Sequence, residues 1–143
     1  MNFISPSELN QLINSSDEIA VIDVREQGEF GKEHILLCAN IPLSHLEIKV
    51  PVLIPRKGSQ IVICDFEGEL SSRAFDVLIS YGYTNISILR GGVKAWKGEK
   101  FEVFSGINVP SKAFGEFVEH TYETPSISAK ELKDMMDKKQ DFI

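Results

Sequence analysis

The sequence predicts an α/β fold built on a mainly parallel sheet, and three observations lead there. Short apolar runs of strand length recur at 19–24, 61–64 and 86–89. Uninterrupted runs of this kind suit strands buried on both faces. Segments with helical apolar spacing lie between them, as in βαβ units. The stretch 61–71 then passes from strand to a short acidic loop with one glycine, and a helical pattern begins at Ser71 and Ser72. Strand, tight loop and helix is the geometry with which α/β proteins present a ligand or a nucleophile.

Each element has its own signal. Ser5-Pro6-Ser7-Glu8 reads as a helix start. Ser5 caps, Pro6 suits the first helical position and Glu8 reaches back to complete a capping box. Leu9, Leu12 and Ile13 supply the apolar face, and the helix is expected to end near Asn14. Residues 19–24 form a buried strand, and Glu26 to Lys32 a short polar helical turn. A second strand is expected over 35–41, stopped by Pro42. Ser44 to about Ile54 is expected to be helical until Pro51 kinks or ends it. After the third strand and the acidic loop, Arg73 to Tyr81 carries Ala74, Phe75, Val77, Leu78 and Tyr81 at helical spacing, with Gly82 at its end. A fourth strand over 86–89 turns at Gly91-Gly92 into a last helix containing Trp96, which is expected to pack onto the sheet. Residues 101–110 are irregular, and Lys112 to Tyr122 could be a helix with Phe114, Phe117 and Val118 on one face.

Composition narrows the function classes. With 143 residues and 43% hydrophobic content, one ordinary domain with extra chain is expected. A net charge of −6 disfavours a nucleic-acid binder, which needs a basic face to displace counterions. No apolar stretch approaches the ~20 residues of a membrane span, and the N-terminus lacks the pattern of a secretory signal. Cys38 and Cys64 form neither a disulfide framework nor a metal spacing. The expectation is a cytoplasmic protein with reduced thiols, no metal, no cofactor and no nucleic-acid or membrane partner.

An internal repeat divides the chain. Ile127-Ser128-Ala129-Lys130-Glu131-Leu132 parallels Ile4-Ser5-Pro6-Ser7-Glu8-Leu9, and the same offset pairs Met135-Met136 with Leu12-Ile13 and Phe142-Ile143 with Ile19-Ala20. The expected organisation is a domain over 1–100, an inter-domain linker over 101–126 and the truncated start of a second copy over 127–143.

Three segments carry a family resemblance. Asp23-Val24-Arg25-Glu26, continuing through Glu29-Phe30, His34-Ile35 and Ala39-Asn40-Ile41-Pro42, resembles the N-terminal signature of rhodanese-like domains. Leu89-Arg90-Gly91-Gly92-Val93-Lys94-Ala95-Trp96 is similar to their C-terminal signature, and 61–81 stands where the family keeps its active-site loop. The segment 105–114 resembles the inter-domain segment of bacterial proteins built from tandem rhodanese domains. The resemblance implies a small parallel sheet with helices on both faces. It also implies sulfurtransferase chemistry, in which a cysteine at the end of the central strand takes sulfane sulfur from a donor such as thiosulfate. The persulfide passes its sulfur to an acceptor, while loop N–H groups and a helix N-terminus hold the anionic donor.

The loop departs from that pattern. Members commonly read Cys-x-x-Gly-x-Arg-Ser there, and Gly68 and Ser71 fit that spacing only if Asp65 holds the nucleophile position, with Leu70 at the arginine. Asp65, Phe66, Glu67, Gly68, Glu69, Leu70 and Ser71 thus form an active-site-like loop without its nucleophile. Cys64 lies one residue early, and alternation along a strand turns it away from the loop. Asp65, Glu67 and Glu69 place three acids in five residues with no cation inside the loop, which repels an anionic donor. At the head of a helix, the Asp65 carboxylate could itself accept the loop N–H groups in place of a bound anion. A phosphatase-like Cys-x5-Arg count from Cys64 also ends on Leu70, leaving no arginine for a phosphate. Asp23, Arg25 and Glu29 are expected to hold the first strand to the adjoining turn. His34, Gly91, Gly92 and Trp96 complete the structural signature, while His45 and His120 are expected at the surface.

The expected function is a catalytically silent rhodanese-like domain, structural or regulatory beside an active downstream repeat of the same chain. The rivals are a sulfurtransferase using Cys64 and a binding module whose acidic loop takes a cationic partner.

Overall fold

The computed structural model of the chain describes residues 1–107 continuously and, beyond them, 111, 114, 115, 118, 121, 122, 125 and 127–138. Two compact units divide at Pro110/Ser111. The first unit has five parallel strands: β1 (Asn2–Ile4), β2 (Ile19–Asp23), β3 (Ala39–Asn40), β4 (Gln60–Cys64) and β5 (Ile86–Leu89), in the order β1-β5-β4-β2-β3. Its helices are α1 (Pro6–Ile13), α2 (Gln27–Phe30), α3 (Leu46–Leu53), α4 (Glu69–Ser80) and α5 (Gly92–Gly98), with a 3-10 turn at Leu43–His45. This is the α/β architecture expected, with helices on both faces of the sheet.

Alternation along β4 divides the core. Ile61 and Ile63 pack with Ala74, Leu78, Leu46 and Val50, on the side of α3 and α4. Val62 and Cys64 pack with Leu9, Phe30, Val93 and Trp96, on the side of α1, α2 and α5. Strand order reverses between β2 and β4, which pair in parallel with Asp23 opposite Cys64. Ligand crevices of open α/β sheets form at the carboxyl ends of strands beside such a switch point.

Most expected elements are present. Ser5 caps α1 and forms the capping box with Glu8, and the positive φ of Gly82 (84°) follows the end of α4. Three differences have physical causes. β1 escaped the sequence reading because, of its three residues, only Ile4 is buried. The strand expected over 35–41 shrinks to Ala39–Asn40. Ile35, Cys38 and Ile41 are all buried. Between them, however, the chain turns, with the Cys38 N–H donating to Ile35 O at 3.2 Å and Leu37 at a φ of 66°. An apolar run here reflects burial without a ladder. Pro51, expected to kink or end α3, lies inside it. Its missing N–H strands only the carbonyl of Glu47, an exposed residue. Leu46, Val50 and Ile54 meanwhile anchor the helix in the core.

The expected linker at 101–126 starts inside the first unit. Trp96 Nε1 donates to Glu102 O at 2.8 Å, Phe101 packs on the Trp96 ring, and Phe104 and His34 exchange backbone hydrogen bonds of 2.8 and 2.9 Å. The second unit contains α6 (Ala129–Asp137), whose Ser128 and Glu131 form the same capping box as Ser5 and Glu8 in α1. Ser111, Phe114, Gly115, Val118, Thr121 and Tyr122 are helical. Phe117, His120 and the pair Phe142-Ile143 lie outside the described residues. No helix among the described residues is long and apolar enough to cross a membrane.

Tyr83 joins α3 to the sheet. Its ring is buried, and its hydroxyl donates to Ile54 O at 2.6 Å and approaches Val50 O at 3.3 Å, carbonyls at the end of α3. Helix-terminal carbonyls buried without donors are costly. Tyr83→Phe is expected to lower stability by about 1–2 kcal/mol, read as a lower urea midpoint with an unchanged denaturant slope.

Candidate functional site

The site grows from the end of β4. Asp65 is buried, and its carboxylate accepts the N–H groups of Gly68, of Leu70 at 2.6 Å and of Ser71 at 2.9 Å. Gly68 makes this turn possible with a φ of 110°, and α4 begins at Glu69, earlier than the apolar pattern indicated. These donors are the otherwise unpaired N–H groups of the loop and the helix N-terminus, so a covalently attached carboxylate occupies the anion position. The Ser71 hydroxyl is buried without a hydrogen-bond partner among the described residues.

The opposite wall of the loop is the start of α5. The Asp65 and Phe66 carbonyls accept the N–H groups of Val93 (2.8 Å) and Lys94 (3.1 Å). Gly91 and Gly92 have φ values of 70° and 59°, and a Cβ on Gly92 would lie 2.4 Å from Asp65 O and 2.5 Å from Phe66 O. That close approach explains the paired glycines: the second lets one backbone touch the other.

Tertiary structure changes the electrostatics read from the loop. A cation does reach it: Lys94 Nζ lies 2.6 Å from Glu67 Oε1, although 27 residues separate the two. Glu69 occupies the first turn of α4, where the helix dipole favours an acid. The repulsion expected among the three acids is therefore offset at each of them, by Lys94, by the dipole and by the N–H groups around Asp65.

Asp23 and Arg25 form a buried pair. Arg25 Nε and Nη2 donate to the Asp23 carboxylate at 2.9 and 2.5 Å, and Nη2 also donates to Glu33 O at 2.7 Å. Burial works against the Arg25 charge, but the Asp23 hydrogen bonds and charge outweigh it and raise the guanidinium pKa above its usual value. Glu29, expected to join them, instead pairs with Lys32 at 2.6 Å in solvent. His34 is buried, stacks on Phe30 with ring centroids 3.9 Å apart, and donates from Nδ1 to Phe30 O at 3.0 Å. A carbonyl only accepts, so Nδ1 carries the proton. His45 is exposed, as expected. A cleft of about 390 Å³ at the switch point is lined by Arg25, Glu26, Glu29, Asp65, Phe66 and the loop residues Glu67, Glu69 and Leu70.

Cys64 lies outside this cleft. It is fully buried on the α5 face of β4, with its Sγ 3.6 Å from that of Cys38. The hydrogen bond with Cys38 and then burial push its thiol well above the ordinary range; charge at Cys38 and Asp23 adds to this and Arg25 opposes it. Sequence spacing gave no hint of this pairing, because 26 residues separate the two cysteines. Asp23, Cys38 and Cys64 bring potential metal-ligand atoms within 4.8 Å of one another. The Asp23 carboxylate is already held by Arg25, whose charge opposes a cation there.

A family model described as rhodanese-like domain matches residues 5–99. The crystal structure of a thiosulfate sulfurtransferase from Pseudomonas aeruginosa superposes with a TM-score of 0.92 at 34% identity, over 98% of this chain and 27% of that one. This chain therefore spans well under two thirds of that protein's length. An uncharacterized protein of Escherichia coli strain K12, YibN, is 28% identical over 72% of each chain. The thiosulfate sulfurtransferase PspE of the same strain is 30% identical over 51% of this chain and 69% of its own length. The chain belongs to the rhodanese-like domain family and is related to thiosulfate sulfurtransferases.

Two outcomes test this arrangement. Gly92→Ala forces the Asp65–Phe66 backbone away from α5 and is expected to cost about 3 kcal/mol in urea unfolding. Gly98→Ala, in the same helix with nothing within 4 Å of the added Cβ, is expected to be neutral or mildly stabilising. The second outcome follows from the raised Cys64 thiol, whose proton the folded state binds more tightly than the unfolded chain does. Its contribution to stability is complete below the unfolded thiol's pKa, roughly 8.5, and is lost as pH rises above it. Urea midpoints should therefore fall more between about pH 7 and about pH 10 in the wild type than in Cys64→Ala.

Proposed function

We propose that this chain is a catalytically silent rhodanese-like domain of a tandem, cytoplasmic sulfurtransferase-type protein, structural or regulatory beside an active downstream repeat. The observation that carries the silent reading is the Asp65 carboxylate seated on the N–H groups of Gly68, Leu70 and Ser71. A carboxylate there forms no persulfide, and it fills the place where the family resemblance puts the donor anion. The thiol one residue earlier is buried on the other face of the sheet and holds its proton.

The tandem reading is supported by the matching capping boxes at Ser5/Glu8 and Ser128/Glu131. It is also supported by the match of nearly this whole chain to 27% of the Pseudomonas sulfurtransferase. On this reading the chain holds a first domain over 1–100, an inter-domain linker over 101–126 and the start of a second repeat over 127–143. Two free thiols support a reducing compartment.

Incubation with thiosulfate and cyanide is expected to give no thiocyanate above the protein-free rate. Asp65→Cys is expected to gain one sulfur atom in intact mass after exposure to thiosulfate. Thiocyanate formation by the wild type that disappears in Cys64→Ser would overturn the silent reading.

A further inference from the structure

The proposed function gives Cys38 and Cys64 no chemistry of their own, yet the fold brings their sulfurs together. The Sγ atoms lie 3.6 Å apart, both thiols are free, and both are buried, Cys64 completely and Cys38 at 8% exposure. A disulfide requires about 2.05 Å between sulfurs, so one side must yield by roughly 1.5 Å. The two sides differ in how readily they move. Cys64 ends β4, which is hydrogen-bonded to β2 on one edge and to β5 on the other. Cys38 ends the irregular turn from Ile35, held there by one 3.2 Å backbone bond and containing Leu37 at a φ of 66° and 63% exposed. The turn at 35–38 is thus held less tightly than β4 and is the side on which the gap would close. The Asp23 carboxylate beside the sulfurs is taken by Arg25, which leaves the two thiols to react with each other.

We propose that Cys38 and Cys64 form an oxidisable dithiol that closes to an intramolecular disulfide when a hydroperoxide reaches Cys38. In the first step the Cys38 sulfur attacks the O–O bond, becomes a sulfenic acid and releases one molecule of alcohol, or of water from hydrogen peroxide. In the second the Cys64 sulfur displaces water from that sulfenic acid, forming the S–S bond. Two electrons leave the sulfur pair and reduce the peroxide; the two thiol protons end in the released alcohol and water. A dithiol reductant reverses the change. Cys38 takes the first step because its residue keeps some exposure, 8%, whereas Cys64 has none. The cross-link ties the turn before β3 to the residue immediately preceding Asp65, so sulfur oxidation state is recorded next to the active-site-like loop. This holds whether or not the loop is silent.

The test treats the folded chain with hydrogen peroxide, then alkylates it in denaturant and measures intact mass and thiol content. The expected product is a monomer lighter by two hydrogen atoms, unalkylated at both cysteines, and returned to two alkylatable thiols by dithiothreitol. Cys38→Ser and Cys38→Ala, checked for native circular dichroism, are expected to give no such product. Two alkylatable thiols in the wild type, under conditions that consume a free-cysteine peptide, would overturn the proposal. So would disulfide-linked dimers, or sulfinic acid on Cys38 with Cys64 still alkylatable.

Discussion

Asp65 ties four parts of the molecule together. Its backbone continues β4, its carboxylate gathers the N–H groups of the loop and of α4, and its carbonyl receives the Val93 N–H in the first turn of α5. The side-chain bonds are charge-assisted and made away from water, where hydrogen bonds to an ionised group are worth about 1.5–3 kcal/mol each. Removing the carboxylate strands three donors at once. The loop therefore keeps the shape of an anion-binding site by carrying its own anion.

A second buried charge pair supports the same end of the sheet. Arg25 folds back on Asp23 and reaches Glu33 O, while Asn40 Nδ2 donates to Arg25 O at 2.8 Å and approaches Asp23 O at 3.3 Å. Buried pairs are weak evidence for stability, but breaking one leaves an uncompensated charge and costs several kcal/mol. Here the pair fixes the chain between β2 and α2, and with it one wall of the cleft. Asp23 also stands opposite Cys64 in the sheet register, so the ion pair and the thiol pair adjoin.

The charge balance of the cleft is a product of packing. Read along the chain, residues 65–69 hold three acids and no cation. In space, Lys94 comes from α5 to Glu67, and α4 presents its positive dipole end to Glu69. Both partners are exposed at the Lys94–Glu67 contact, where salt and water weaken an ion pair. The buried Asp65 contacts dominate the site, and the surface charges adjust its rim.

The sequence by itself determined whatever rests on local chemistry or on alternation. The capping boxes at Ser5 and Ser128 depend on four residues each. The strands β2, β4 and β5 depend on apolar runs. The opposite facing of Cys64 and the loop depends on the two-residue period of a strand, so one position in an alignment settled it. β1, the shortened β3 and the survival of α3 past Pro51 were not legible, because each is decided by neighbours distant in sequence: an edge to pair with, a turn at Leu37, a core that holds Leu46 and Val50. The same holds for Lys94 beside Glu67, for Glu29 turning to Lys32, and for residues 101–106 folding back on Trp96 and His34. Most of all it holds for Cys38 and Cys64, since contact between residues so far apart in the chain is set by the register of the sheet and the packing of a turn, and leaves no trace in spacing.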